Sequence, residues 1–265
     1  MASRPASLED LPFELLVEIH LLSLSSALPN VSRHLRSLFT ATSPHHRALY
    51  LTLRHERKTL AHAVKYSICT LEVVHHLERI AQARGKKLKC PQLPRRLVKG
   101  LGTGVKNDNI DLPLITYLLE HYRASPNSQG GYPLARAVFA RHLPLIRLLL
   151  RHGADPALKD GCAVTTAIAN GDADLVKLLM EREVERADAM DEPLHEVVLQ
   201  AGGGGSGKKR RRDSGGGGGK RRKVEDRCAA TKEMLETAVK AKQWAIVDYL
   251  TAKGALPSLN VLAML

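Results

Sequence analysis

The chain has 265 residues, 44% of them apolar but only 4% aromatic, so its core must be mostly aliphatic, and its length allows one large domain or two smaller ones. No basic leader with an apolar run and a small-residue cleavage site opens it, and no stretch nears the ~18 apolar residues of a membrane span, which predicts a soluble intracellular protein. The net charge of +13 is concentrated in two places: residues 31–100 hold 15 Lys/Arg against 3 Asp/Glu, and residues 208–223 hold 9 against 1. Cys69, Cys90, Cys162 and Cys228 are scattered, without a CxxC pair or a His at finger spacing, and read as reduced thiols.

Residues 7–24, SLEDLPFELLVEIHLLSL, predict a helix beginning near Leu11. Asp10 is suited to accept hydrogen bonds from first-turn amides, Pro12 is tolerated there, and Glu14 lies favourably at the positive end of the dipole. At about 100° per residue, Leu15, Ile19 and Leu22 share one face, Phe13, Leu16, Val17 and Leu24 another, and Glu14 and Glu18 a narrow strip. An ordinary surface helix has one apolar stripe. The extra one needs cover, from the rest of this chain or from another protein.

The basic stretch 31–100, including Arg33, Arg36, Arg47, Arg54, Lys86, Lys87 and Lys89, reads either as a solvated face or as a surface for an acidic adaptor or an acidic target segment.

From about residue 59 a helical pattern recurs. LIRLLLRHGAD at 145–155 matches DLVKLLMER at 174–182 thirty residues later, LITYLLEH at 114–121 precedes it by 31, and AIVDYLTAKGA at 245–255 repeats the shape. A shorter piece with a small residue inside comes before such a helix each time: TLAHAVKYSIC, YPLARAVFARH, CAVTTAIANGD, MLETAVKAKQW. A helix–turn–helix unit of about 30 residues cannot bury its own apolar face, so repetition predicts a stacked solenoid. Pro133 and Pro144 fall in first turns, and Gly153 falls where a left-handed helix cap is wanted. These residues resemble ankyrin repeats. Tyr132, Pro133, Leu134 and Ala137 match the TPLHxA start, Leu148, Leu149, Gly153, Ala154 and Asp155 the LL..GAD end, and Ala169 to Gly171 with Val176, Leu178 and Leu179 the next copy. Ala135 and Thr166 are read as replacing the usual His, so the bonds that knit successive turns are expected to be missing there.

PLHEVVLQ at 193–200 reads as a short helix, and residues 201–227, with ten glycines in 27, as a disordered loop. Within it, Lys208 and Lys209 precede Lys220, Arg221, Arg222 and Lys223 by ten residues, a spacing that resembles a bipartite nuclear-import signal. The resemblance implies an importin partner and a location in the nucleus, with the cytoplasm as a second compartment. The weaker alternatives are an arm that contacts nucleic acid without sequence preference and an artificial Gly/Ser linker.

LPFELLVEI followed by LSLSSALPNVSRHLRSLF resembles an F-box: Leu11, Pro12, Glu14, Leu15, Leu16, Ile19 and Leu22 match its first half, and Leu28, Val31, Ser32, Arg33 and Leu35 its second. With the repeats, the chain resembles fungal F-box/ankyrin-repeat proteins. The resemblance implies an all-α fold: an F-box-like module at 8–50, ankyrin-type repeats at 59–200, the basic glycine-rich loop at 201–227 and a last repeat at 228–258. It implies a substrate-recruiting subunit of a cullin-based ubiquitin ligase, with Leu11, Pro12, Leu15, Leu16, Ile19, Leu22, Leu28 and Val31 on a Skp-type adaptor and the solenoid on a target protein. The alternative is a nuclear ankyrin scaffold or regulator without ligase activity. No HExxH, GxxxxGK[ST] or GxSxG pattern occurs, so no enzyme activity, metal or cofactor is expected.

Overall fold

The computed structural model describes residues 8–56, 58–102, 110–182 and 226–257. Among them the regular elements are all helical. Leu8–Asp10 forms a single 3-10 turn, and α1 runs Phe13–Ser23. The helix therefore starts two residues later than the sequence predicts, and Asp10 does not cap it: Pro12 is the N-cap, with no side-chain cap bond. A four-residue helix, α2 (Leu28–Val31), leads into α3 (Arg33–Ala41) and α4 (Pro44–Arg54). Ser32 and Ser43 cap these last two, their hydroxyls accepting from Leu35 N at 3.1 Å and His46 N at 3.3 Å.

A small core of Leu16, Leu35 and Phe39, flanked by Leu28 and Leu38, holds the first three helices together. In contrast, α4 belongs to the main core through Ala48, Tyr50 and Leu51, and it continues past residue 50 to Arg54. It also anchors the end of α1. Tyr50 OH donates to the Leu24 carbonyl at 3.5 Å, the Arg54 guanidinium donates to the same carbonyl, and Arg54 Nη2 donates to Ser26 Oγ at 3.2 Å.

The rest runs in chain order as α5 (Thr59–Ala63) and α6 (Leu71–Ala83), α7 (Arg96–Lys99) and α8 (Leu112–His121), α9 (Ser128–Phe139) and α10 (Leu143–Arg151), α11 (Leu158–Ala169) and α12 (Ala173–Met180), and α13 (Lys232–Lys240) and α14 (Trp244–Ala252); the last three couples pack as pairs, while α6 packs on α4 and α7 on α9. Each pair buries residues in the same phase. In the second helices these are Leu114, Ile115, Leu118 and Leu119, then Leu145, Ile146, Leu149 and Leu150, then Leu175, Val176, Leu179 and Met180. In the first helices Leu134, Ala137 and Val138 are followed by Ala163, Val164, Ala167 and Ile168, then by Met234, Leu235, Ala238 and Val239. Residues i, i+1, i+4 and i+5 cover about a third of a helix circumference. That face presses on the neighbouring pair, so α9 packs on α11, α11 on α13 and α12 on α14. The result is a helical solenoid with one continuous aliphatic core.

Turn chemistry keeps the register. Gln129, Gly130 and Gly131 all have positive φ, as do Lys159, Asp160 and Gly161. The right-handed part of α9 thus begins after Gly131, with Pro133 in its first turn as expected. Gly161 has a φ of +70°, a left-handed backbone conformation that favours glycine, and the end of the Met234 side chain from α13 lies against it. Asp111, His142 and Asp172 cap α8, α10 and α12, each accepting from the amide three residues on at 3.0, 3.2 and 3.1 Å. The thirty-residue register puts Thr165, not Thr166, opposite Ala135. Both threonine hydroxyls donate within their own helix, to Gly161 and Cys162 carbonyls. Other groups knit the turns: Asn127 donates to the Gly153 carbonyl at 3.2 Å and accepts from Asp155 N at 2.9 Å, and Leu93 N donates to Ser128 Oγ at 2.9 Å.

The structure departs from two expectations in the 59–125 stretch. TLAHAVKYSIC is α-helical only at Thr59–Ala63, and the helix paired with LITYLLEH is the four-residue α7, between Pro94 and Gly100. The expected helix at 193–200 and residues 201–225 of the loop expected at 201–227 lie outside the described residues; the last two residues of that loop are ordered instead, Asp226 bridged to Glu181 and Arg227 bonded to Met180. The described residues stop at Arg182 and resume at Asp226.

Candidate protein-binding surfaces

The first surface is the outer side of α1. Leu16 and Val17 turn inward, and Leu16, only 1% exposed, is sealed against Leu35 and Phe39. The F-box resemblance places Leu16 on an adaptor; it is instead core, and Leu28, half-buried against the same residues, mainly supports it. The other expected residues face out: Leu11 and Pro12 are exposed, Leu15 is 45% exposed, Leu22 84% and Val31 69%, with Ile19 half-buried between them. Phe13, which helical spacing groups with Leu16 and Val17, is exposed as well. The face of Leu15, Ile19 and Leu22 is thus left uncovered by the described residues, and Leu16, Val17 and His20 form the face that packs.

His20 is a residue that sequence reasoning alone does not single out. Its ring lies 4.1 Å from Tyr50, stacked, and 4.4 Å from Phe39. Burial holds its pKa below the ordinary imidazole value; the Arg54 charge pushes the same way and a backbone hydrogen bond at Ser25 opposes them. A neutral ring therefore joins the module to the solenoid, beside a cavity of about 510 Å³ lined by Phe39, Arg47, Tyr50 and Tyr66. The available signal is its position: His20 follows Leu16 by four and Val17 by three, on the inward face.

The second surface is the rim where the two helices of a pair meet. Phe139, Leu143 and Trp244 are exposed there, at the end of α9 and the starts of α10 and α14. Arg136 stacks over Phe139 at 4.9 Å. In a chain with one Trp and three Phe, solvent-facing aromatic rings at equivalent turns are a usable protein-contact feature. The third surface is basic. Two adjoining grooves of about 560 and 650 Å³ run beside α5 and the 86–96 segment, with Lys58, Ala61 and Pro91 lining both.

Other polar groups hold the solenoid. Glu78 accepts from Tyr122 OH at 2.5 Å and Tyr117 OH at 2.8 Å. Burial would raise its pKa, but these bonds and one from His75 outweigh that and hold the carboxyl below its ordinary value. Burial pushes the Cys69 thiol up to about 12 and the Cys90 thiol up to about 11, so both are unreactive core residues. Lys208, Lys209, Lys220, Arg221, Arg222 and Lys223 lie outside the described residues. Among the described residues no helix is long and apolar enough to cross a membrane.

Residues 129–161 match the ankyrin repeat family. The match begins in one left-handed turn, Gln129–Gly131, and ends in the next, Lys159–Gly161, so it covers one full structural period. Comparison with curated proteins and with solved structures finds no match. An ankyrin repeat suggests protein–protein interaction.

Proposed function

We propose that the chain is a substrate-recruiting subunit of a ubiquitin ligase, in which the N-terminal helical module docks on a Skp-type adaptor and the solenoid holds a target protein. The observation that carries this reading is the uncovered apolar side of α1. Leu15 and Leu22, and likewise Leu11 and Val31, stay in water although α1 has already buried Leu16 and Val17. Covering a leucine side chain recovers about 1.5–3 kcal/mol, so several together can support a stable interface. Their positions are those at which the sequence resembles an F-box.

In this reading the chain supplies no nucleophile and needs no cofactor. Adaptor and cullin would hold it near a charged ubiquitin carrier, and a target on the solenoid would experience a raised effective concentration of that carrier. The clusters at Lys208–Lys209 and Lys220–Lys223 would deliver it to an importin and so to the nucleus. Purification of the tagged chain from its own cells, with associated proteins identified, tests the reading: adaptor and cullin should be recovered together. Recovery of nuclear proteins with neither would favour the scaffold alternative.

A further inference from the structure

We infer that the two adjoining grooves beside α5 form one channel that binds an extended acidic peptide, with glutamates or aspartates separated by aliphatic residues. The inference rests on the reading of the solenoid as the target-binding part, and it names the chemistry of what is bound. Lys58 lies in both grooves; Lys65 and Arg95 line one, Lys86, Lys87 and Lys89 the other. Among the described residues, Glu56 is the sole acidic one lining either groove.

These six cations are exposed, and among the described residues none is in an ion pair with a carboxylate. Arg95 lies over the Tyr132 ring at 4.5 Å, which fixes its charge at the groove wall. Arg96 instead braces the base of the channel, where its guanidinium donates to the carbonyls of Val64 at 3.3 Å and Cys69 at 3.2 Å. Free lysines crowded around a concavity repel one another, and a partner carrying carboxylates relieves that repulsion as it binds.

The lining between the charges selects the kind of polyanion. Ala61, Leu88 and Pro91 provide accessible apolar surface, which suits aliphatic side chains alternating with acids along an extended chain. Among the described residues, neither groove is lined by a Phe, Tyr or Trp on which a nucleic-acid base would stack. Across two repeats at about 10 Å each, an extended chain at about 3.3 Å per residue presents about six residues.

The test uses the full chain and a fluorescein-labelled eight-residue peptide of alternating Glu and Leu, read by polarisation. A Lys/Leu peptide and a twelve-nucleotide single-stranded DNA serve as competing probes. The Glu/Leu peptide should bind more tightly than either, and binding should weaken at least tenfold in the variant Lys58→Glu, Lys87→Glu, Lys89→Glu. It should be unchanged within twofold when exposed cations on other helices are neutralised, Arg147→Gln with Lys177→Gln, and when Lys220–Lys223 are replaced by Ala. Circular dichroism melting of each variant, at exposed sites, should overlay that of the parent. Absence of peptide binding, tighter binding of the DNA, or equal loss in either control variant overturns the inference. Adaptor capture, measured on the same groove variant, should persist, so failure of the channel and failure of the ligase reading give different results.

Discussion

Arg227 donates its backbone amide to the carbonyl of Met180 at 2.6 Å, joining two residues far apart in the sequence. Glu181 and Asp226 pair as an antiparallel bridge beside them, and Lys253 Nζ reaches Asp226 at 2.6 Å and Glu181 at 3.2 Å. Tyr249 OH adds a bond to Glu181 at 3.0 Å. The last helix pair therefore clamps Glu181 and Asp226 together, and α13 stacks on α11 as though the two repeats were consecutive.

Replacing residues 183–225 by a short glycine–serine turn should accordingly leave the solenoid intact. Opposed residues in an antiparallel pair are about 5 Å apart, a gap that two to four residues close, and shortening a closed loop changes its entropy only logarithmically. Thermal unfolding should stay cooperative, with a midpoint within a few degrees of the parent. Loss of cooperativity would mean that the last repeat depends on the excised segment.

Leu149 and Leu22 offer a matched pair of leucine truncations. Leu149 is fully buried between repeats whereas Leu22 is in water. Leu149→Ala should cost about 2–5 kcal/mol in urea denaturation and Leu22→Ala less than about 0.5 kcal/mol. Comparable costs would place Leu22 in the core.

His20 makes stability depend on pH in a defined direction. Its folded pKa lies below the unfolded value near 6.5, so between the two the unfolded chain binds a proton that the folded chain refuses. Stability is unaffected above 6.5 and falls as pH drops below it, by at most about 1.4 kcal/mol per pH unit from this group. His55 is shifted the same way by burial, with His62, Arg54 and Lys65 adding to it, so the comparison must be with a variant. His20→Phe, keeping the stack on Phe39 and Tyr50, should gain on the parent between pH 7.5 and 5.5. Parallel curves would exclude His20 as the source.

Replacing Lys220, Arg221, Arg222 and Lys223 by Ala should move a fluorescent fusion, large enough to prevent diffusion, toward the cytoplasm. Four cations in a glycine-rich segment motivate this, and unchanged nuclear accumulation would remove the import reading.

The solenoid is legible in the sequence because its signal repeats. Leu145 and Leu175 stand thirty residues apart in the same local pattern, and both are buried where that pattern puts them. The helix α7 is not legible: RLVK between a proline and a glycine is too short to show a period, and only packing against α9 defines it. Nor is the inward turn of Leu16, because two apolar faces on one helix carry no label for which is buried; Leu35 and Phe39, some twenty residues away, decide it. The closure of Arg227 on Met180 and the meeting of Lys58 with Lys89 are likewise long-range facts that a local pattern cannot contain.

The uncovered side of α1 as an adaptor-docking face is tested most directly by the affinity of a purified Skp-type adaptor for the parent chain and for Leu15→Asp with Leu22→Asp. Both side chains are exposed in the free protein, so the carboxylates remain in water there and the melting curve should be nearly unchanged. In the complex they would be buried without partners, at several kcal/mol, which predicts loss of at least a hundredfold in affinity. Adaptor binding by the double variant equal to that of the parent, or no binding by the parent itself, would contradict the docking face.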